Sequence, residues 1–454
     1  MLRNVTWLST ARQAVLFIPV FLTAINAYNS FPLFGHHPLF QVDFEKAYYA
    51  AAVAVHQGGP QALWPLIEQA EFVNWPIEVY LFVPFAWFGQ DVAERIFLFL
   101  GIAATAGAFA LLAQGSNLRT KTVLLLLFLA NGPLWYSLMT MGNTTHFILL
   151  ALVCSLLLLQ RRQMYMAGLL IGMAAAIKPM ISIFILYFFY RRNYRATLSS
   201  AAVIAAMAVL SLLFFGLPIT REWYQHCIVE FARHPIGAFN NQSVSAFLLR
   251  LQTGPAYLHD WHGQALAGNF HILAKTVPLF LLLLTGYAGW KWRKEFMAAP
   301  QPDQHSADIF DFSLLTTLCV VTSPLSWTHY YLLLLLPWSF YITGRLPHDD
   351  GPMASWPVWG SIVLSSLPVL YPAHLPEPVA TWAARSVASA WFMGGMLLLS
   401  ALLWRSLYTS RASLPPLVIN VPSLLGNEEG VTLAVSANDD LLAPARLDRT
   451  GGPP

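Results

Sequence analysis

Apolar residues in this chain do not alternate with polar ones. They run together in long stretches, each closed by charges, prolines or Gly/Asn turns. A bilayer core takes about 20 residues of helix, and stretches of that order recur through most of the sequence. The pattern predicts spans at 12–28, 93–113, 121–140, 144–160, 164–177, 179–190, 197–216, 276–291, 309–322, 327–343, 356–371 and 383–404. The expected fold class is therefore an all-α polytopic membrane protein with about 12 transmembrane helices. The two segments flanking Lys178 are too short to cross alone at about 1.5 Å per residue, so they must tilt, recruit flanking residues, or meet inside a protected cavity.

Cytoplasmic loops retain Lys and Arg, and here those residues collect at one set of span ends: Arg3 and Arg12, Arg119 with Lys121, Arg161-Arg162, Arg191-Arg192 with Arg195, Lys291 with Arg293 and Lys294, Arg345, and Arg405 with Arg411. Both termini are then expected in the cytoplasm, with the chain multi-pass in the cytoplasmic membrane. Counting 79–90 as a full span would put the Arg pairs outside, so 44–57 and 76–90 are read as helices at the outer interface, rich in Tyr, Trp and Phe. Two long outer loops follow, 29–92 and 217–275, within a transmembrane domain 1–407; residues 408–454, with Pro pairs and an Asn-Asp-Asp stretch, read as a flexible cytoplasmic tail. The first apolar stretch runs into an Asn/Tyr/Pro loop with no small-residue cleavage site, so no cleavable signal peptide is expected.

Composition narrows the functional classes. Of 454 residues 57% are hydrophobic and 10% charged, against about 25% charged in soluble domains, which excludes an ordinary soluble enzyme. Thirty Phe, 17 Tyr and 16 Trp exclude disorder. Three cysteines make no disulfide framework and are not spaced as a metal site, and a net charge of +3 gives a nucleic-acid partner no electrostatic support.

The unusual chemistry falls in the outer loops and at one span break. Asp43, within Gln41-Val42-Asp43-Phe44-Glu45-Lys46, opens an alanine-rich helix, where it fits either an N-cap or a carboxylate acting as general base on a hydroxyl. Lys178 is the sole charge between Gln163 and Arg191, so it either snorkels to the outer surface from a short helical hairpin or contacts a phosphate at that depth. His329, in Ser326-Trp327-Thr328-His329, is either a bundle hydrogen bonder or a group that donates to phosphate or shuttles a proton. Trp327 and its tyrosine neighbours read as an interfacial belt. The run Asn240-Asn241-Gln242-Ser243 leads into the helix bearing Arg250; its amides suit sugar hydroxyls, and Ser243 suits a cap. The loop histidines 226, 234, 259, 262 and 271 lack a metal-site spacing, and no metal or cofactor is expected.

These pieces occur in an order that resembles glycosyltransferase family 87: Asp43-Phe44 before a Tyr-containing alanine-rich helix, Trp135 through Gly142-Asn143, Ala167-Gly168 through Lys178-Pro179, Asn241-Gln242-Ser243 through Arg250-Leu251, and Ser323-Pro324 through Ser326-Trp327-x-His329. The resemblance covers roughly 40–345, and the ordered set is far more specific than any single motif. It implies the type C glycosyltransferase fold and an outward-facing site, where a hexose, mannose in this family, moves with inversion from a polyprenyl-phosphate sugar to a lipid-linked or cell-envelope glycan. Asp43 matches the catalytic base, and Lys178 and His329 match positions near the donor phosphate. Asn143, Asn241, Gln242, Arg250 and Trp327 are the expected substrate-binding residues, and membrane lipids are expected partners. Gly142-Asn143 stands where many relatives have Gly-Gln, and Asn74-Trp75-Pro76 replaces the usual Tyr-Pro-Pro, so the acceptor is not carried over. The competing class is a transporter or flippase for a lipid-linked glycan, which calls for charged broken helices in two repeated halves; one such lysine is present without a convincing repeat. A third class, a structural scaffold, is disfavoured by the polar outer loops.

Overall fold

The computed structural model describes residues 21–26, 40–298, 304–346, 352–367 and 375–408. The expected tail, apart from Tyr408, and parts of the expected spans 12–28 and 356–371 lie outside them.

Among the described residues the chain is helical, with two isolated β-bridges, Ile236 to Gly263 and Asn241 to Trp327. Four helices, Gln90–Leu112, Tyr194–Arg233, Asn269–Met297 and Val379–Tyr408, are long and apolar enough to cross a membrane, and the pair Leu118–Ala130 and Gly132–Met141, bent by 59°, makes up to five. Other expected spans take the form of shorter apolar helices, Thr145–Gln160, Met164–Ile177 and Pro179–Tyr190. The expected span 327–343 is a 3₁₀ stretch Thr328–Leu334 running into the helix Leu335–Ile342.

Proline and glycine account for most breaks. Pro133 follows Asn131, whose side-chain oxygen accepts from the Leu134 amide and starts a new helix. Gly216 kinks the helix that begins at Tyr194 with φ 77°, two residues before Pro218. Residues 76–90, expected as an interfacial helix, form two 3₁₀ turns, Pro76–Leu81 and Val83–Trp87, and Pro84 lacks the amide that a continuous α-helix would bond to Tyr80 O. The expected helix 44–57 is present as the π-helical turn Phe44–Tyr49 and the helix Ala50–Gly58.

Among the described residues two large apolar clusters result, besides a small one of Phe239, Leu258, Ala384 and Ala388. The larger fills the helical bundle around Leu149, Phe184, Phe312, Leu333 and Trp338. The second packs the first outer segment onto the bundle through Phe44, Tyr48, Phe72, Phe82, Phe97 and Trp223, with Tyr48 stacked on Phe82 at 4.4 Å and Phe44 on Phe97 at 4.5 Å. The helix Met164–Ile177 lies flush against the helix Tyr194–Trp223, since a Cβ on Gly168 would run into the Ala196 carbonyl and Ser199 Oγ.

At the far end of this helix pair, four buried or half-buried charges balance. Arg191 Nη1 lies 3.2 Å from both Asp308 Oδ1 and Asp311 Oδ2, Arg293 pairs with the same two aspartates, and Tyr187 Oη donates to Asp311 at 2.9 Å. The cluster ties three helices together, so Arg191 and Arg293 are latch residues as well as markers of a basic face.

Candidate active site

The site begins with a tight approach of two loops. Gln41 is buried at φ 53°; its amide donates to Met139 O at 2.9 Å and its Nε2 to Leu138 O at 3.3 Å. Gly142 (φ 62°) lies against it so closely that a Cβ would meet Gln41 Cβ at 2.8 Å and Phe44 Cβ at 2.9 Å. Only glycine allows that contact at that backbone geometry.

The approach sets Asn143 over Asp43. Asn143 Nδ2 donates to Asp43 Oδ2 at 2.7 Å and lies 3.3 Å from the Tyr48 hydroxyl, while Thr145 Oγ1 donates to Asn143 Oδ1 at 3.0 Å and so decides which way the amide faces. The Asp43 side chain makes no cap bond to the helix it opens; the N-cap reading is not what the structure shows. Burial lifts the Asp43 carboxyl above the usual carboxylate range, and the Asn143 bond and the Lys178 charge pull it partway back.

Lys178 lies where the helix Met164–Ile177 ends, because its backbone turns extended (φ −130°, ψ 93°) ahead of Pro179. Its side chain is buried rather than snorkelling, with Nζ 4.7 Å from the Tyr330 ring centroid. Among the described residues no carboxylate is within salt-bridge distance, yet its charge acts on both Asp43 and Glu78. His329 opens the 3₁₀ stretch beside Tyr330, their ring centroids 4.9 Å apart; it is buried and its Nε2 has no hydrogen-bond partner among the described residues. Lys178 and His329 both pack against Tyr330, and the Lys178 ammonium acts electrostatically on the Asp43 carboxylate.

The other expected binding residues fall elsewhere. Asn241 donates to Ile236 O at 3.0 Å and accepts from the Ser243 and Ser326 amides at 3.2 Å each. Gln242 donates to Phe239 O at 2.8 Å and Ala388 O at 2.7 Å and accepts from the Phe392 amide at 3.1 Å. Arg250 Nη1 reaches the carbonyls of Gly237, Ala238 and Asn241, and its Nε donates to Ser389 Oγ at 3.1 Å. Trp327 pairs with Asn241 in a β-bridge, and Tyr331 Oη donates to Gln242 O at 2.8 Å. Most of these polar atoms bond backbone and brace the turn before His329 and Tyr330, while Arg250 Nη2 has no hydrogen-bond partner among the described residues. Ser243 caps its helix through the Ala246 amide at 3.1 Å, as its position suggests.

The sequence reading overlooked two residues. Glu78 is buried beneath the first outer segment, and burial, outweighing the Asn74 bond and the Lys178 charge, pushes its carboxyl up to about 7. The only acid in the aromatic run 72–88, it was detectable as a lone charge at an apolar position. His146 is buried one turn beyond Asn143, with Nδ1 3.5 Å from Ser137 Oγ. Among the described residues no group of three or more His, Cys, Asp or Glu side chains is arranged to hold a metal ion.

Apolar helices around a buried carboxylate, ammonium and imidazole define an integral membrane enzyme, and the comparisons with known proteins agree. The chain matches the model of glycosyltransferase family 87 over residues 72–324 and belongs to that family. It is a multi-pass membrane glycosyltransferase. It is 25% identical over 337 residues (68% of this chain, 71% of the relative) to a polyprenol-phosphate-mannose-dependent α-(1-2)-phosphatidylinositol mannoside mannosyltransferase of Mycobacterium tuberculosis. It is also 25% identical over 345 residues (73% of this chain, 77% of the relative) to a polyprenol-phosphate-mannose-dependent α-(1-2)-phosphatidylinositol pentamannoside mannosyltransferase of Mycolicibacterium smegmatis. No solved structure matches the chain at a significant level. Asn74, Glu78, Asn143 and Lys178 lie inside the family match, and Asp43 and His329 lie just outside it.

Proposed function

We propose that this chain moves mannose from a polyprenyl-phosphate donor to a hydroxyl of a glycolipid or envelope glycan, by a single inverting displacement with Asp43 as the base. The observation that carries the reading is the buried Asp43 carboxylate, oriented by Asn143 at 2.7 Å and facing the field of buried Lys178. Asp43 takes the proton of the acceptor hydroxyl as that oxygen attacks the anomeric carbon from the face opposite the phosphate. The bond to the phosphate oxygen breaks, its electron pair leaves with the phosphate, and the charge that develops is met by Lys178 and His329. Asn143 is bonded to the base and is a positioning residue. The donor assignment rests on family membership and on two relatives named for polyprenol-phosphate mannose.

We read the site as lying on the outward face of a type C fold with both termini cytoplasmic, and its place along two helices supports the sidedness. The helix Thr145–Gln160 starts beside Asn143 and ends at Arg161, and the helix Met164–Ile177 starts after Arg162 and ends at Lys178. The site residues therefore occupy the ends away from the basic turn, which the positive-inside rule assigns to the cytoplasm.

Purified protein supplied with polyprenyl-phosphate mannose and a phosphatidylinositol-mannoside acceptor is expected to form a mannosylated product, and a nucleotide-linked mannose alone is expected to give none. Transfer from the nucleotide sugar without polyprenyl phosphate would overturn the proposal.

A further inference from the structure

A second buried carboxylate, Glu78, is not used by the displacement above. Glu78 lies on the turn Pro76–Leu81 and is 1% exposed. Its Oε2 accepts from Asn74 Nδ2 at 2.7 Å, which fixes the carboxylate plane, and its Oε1 has no hydrogen-bond partner among the described residues. The turn itself is held: the Glu78 amide donates to Trp75 O at 2.8 Å, and the Trp75 ring lies 4.3 Å from that of Trp223. The orphaned oxygen therefore belongs to an anchored side chain.

Glu78 also shares the electrostatic surroundings of Asp43. The Lys178 charge acts on both acids, and both acids act on the Tyr48 hydroxyl. A buried acceptor oxygen without a donor costs free energy that its hydration in the unfolded chain does not. When ionised, Oε1 accepts hydrogen bonds only, and a hexose offers several hydroxyl donors that would complete it. We propose that Glu78 is a sugar-binding residue whose free Oε1 accepts a hydrogen bond from a hydroxyl of the hexose beside Asp43, in the terminal sugar of the acceptor or in the transferred mannose. This rests on the transferase reading and adds to it a residue that selects for carbohydrate.

The test is Glu78→Gln in the purified full-length protein. Asn74 donates to the amide oxygen of glutamine, which leaves an NH₂ group, a donor, where Oε1 had been an acceptor. With polyprenyl-phosphate mannose and phosphatidylinositol mannoside varied separately, KM for one of them is expected to rise about tenfold, the magnitude of one lost hydrogen bond to a charged group. A rise in acceptor KM assigns the hydroxyl to the acceptor sugar, and a rise in donor KM assigns it to the mannose. Thermal protection by polyprenyl phosphate without sugar should be unchanged. If Glu78→Gln does not fold, Glu78→Asp, which withdraws the carboxylate by one methylene, should move the same KM. Both KM values within twofold of wild type in the folded variant would overturn the assignment and leave Glu78 a counter-ion of Lys178. Absence of transfer by the wild-type protein would instead overturn the transferase reading, so the two failures are distinguishable.

Discussion

Asp43 shows what a single contact decides. In the sequence, an aspartate at a helix start reads first as a cap, and a base is the alternative, because both roles need an oxygen at that position. Only the partner of the side chain separates them, and that partner, Asn143, is 100 residues away. Lys178 was ambiguous for the same reason: a lysine beside a helix-breaking proline can reach water or stay inside, and the outcome depends on contacts such as that with Tyr330. Asn241 and Gln242 have polar groups suited to sugar, and in the structure those groups bond carbonyls and amides of nearby loops, whereas Arg250 keeps its Nη2 without a partner among the described residues. Asn143 also allows a pH prediction. A base works only when ionised, so activity should fall as the pH drops through the Asp43 value, which burial places above the ordinary 3.8. The Asn143 bond lowers that value. Asn143→Ala should therefore shift the acid limb of the rate profile to higher pH. An acid limb that stays in place in this variant would mean that another group controls it.

At the scale of elements, breaks were easier to read than lengths. Pro179 after Lys178 is visible as an interruption, and the chain breaks there, whereas the expected span 121–140 runs through Asn131 and Pro133, where the structure bends by 59°. The expected helix at 76–90 and the single span at 327–343 were less legible, since apolar periodicity does not distinguish an α-helix from 3₁₀ turns when prolines or tertiary packing set the geometry. Close helix contact was legible only as a scatter of small residues. Gly168 and Gly172 carry it: a Cβ on Gly172 would sit 2.8 Å from the Ser200 carbonyl, and one on Gly168 would meet Ala196 backbone. Backbone cannot give way as a flexible side chain can. Gly168→Ala is therefore expected to cost about 1 to 3 kcal/mol, despite the better helix propensity of alanine. A lower unfolding midpoint in detergent would show it, and a midpoint equal to or above wild type would mean that the two helices are less tightly held than this contact indicates.

The whole molecule brings together segments far apart in the chain: Asp43 and Glu78 from residues 40–88, Asn143 and Lys178 from the ends of two short helices, and His329 from a loop bridged to Asn241 through Trp327. The ordered motifs made membership of the family legible before any geometry was known, and the basic clusters gave a sidedness. Which motif residues touch one another is decided by long-range contacts that no local pattern encodes. The displacement at Asp43 is the central claim of this account, and Asp43→Asn tests it most directly. Asparagine caps a helix about as well as aspartate and matches it in size, so the variant should express, fold and bind polyprenyl-phosphate mannose. It has no basic carboxylate, and loss of general-base catalysis typically costs about 10² to 10⁴ in rate. Turnover by the purified variant is predicted to fall by that factor with donor binding preserved; near-normal turnover would remove Asp43 from the mechanism and contradict the account.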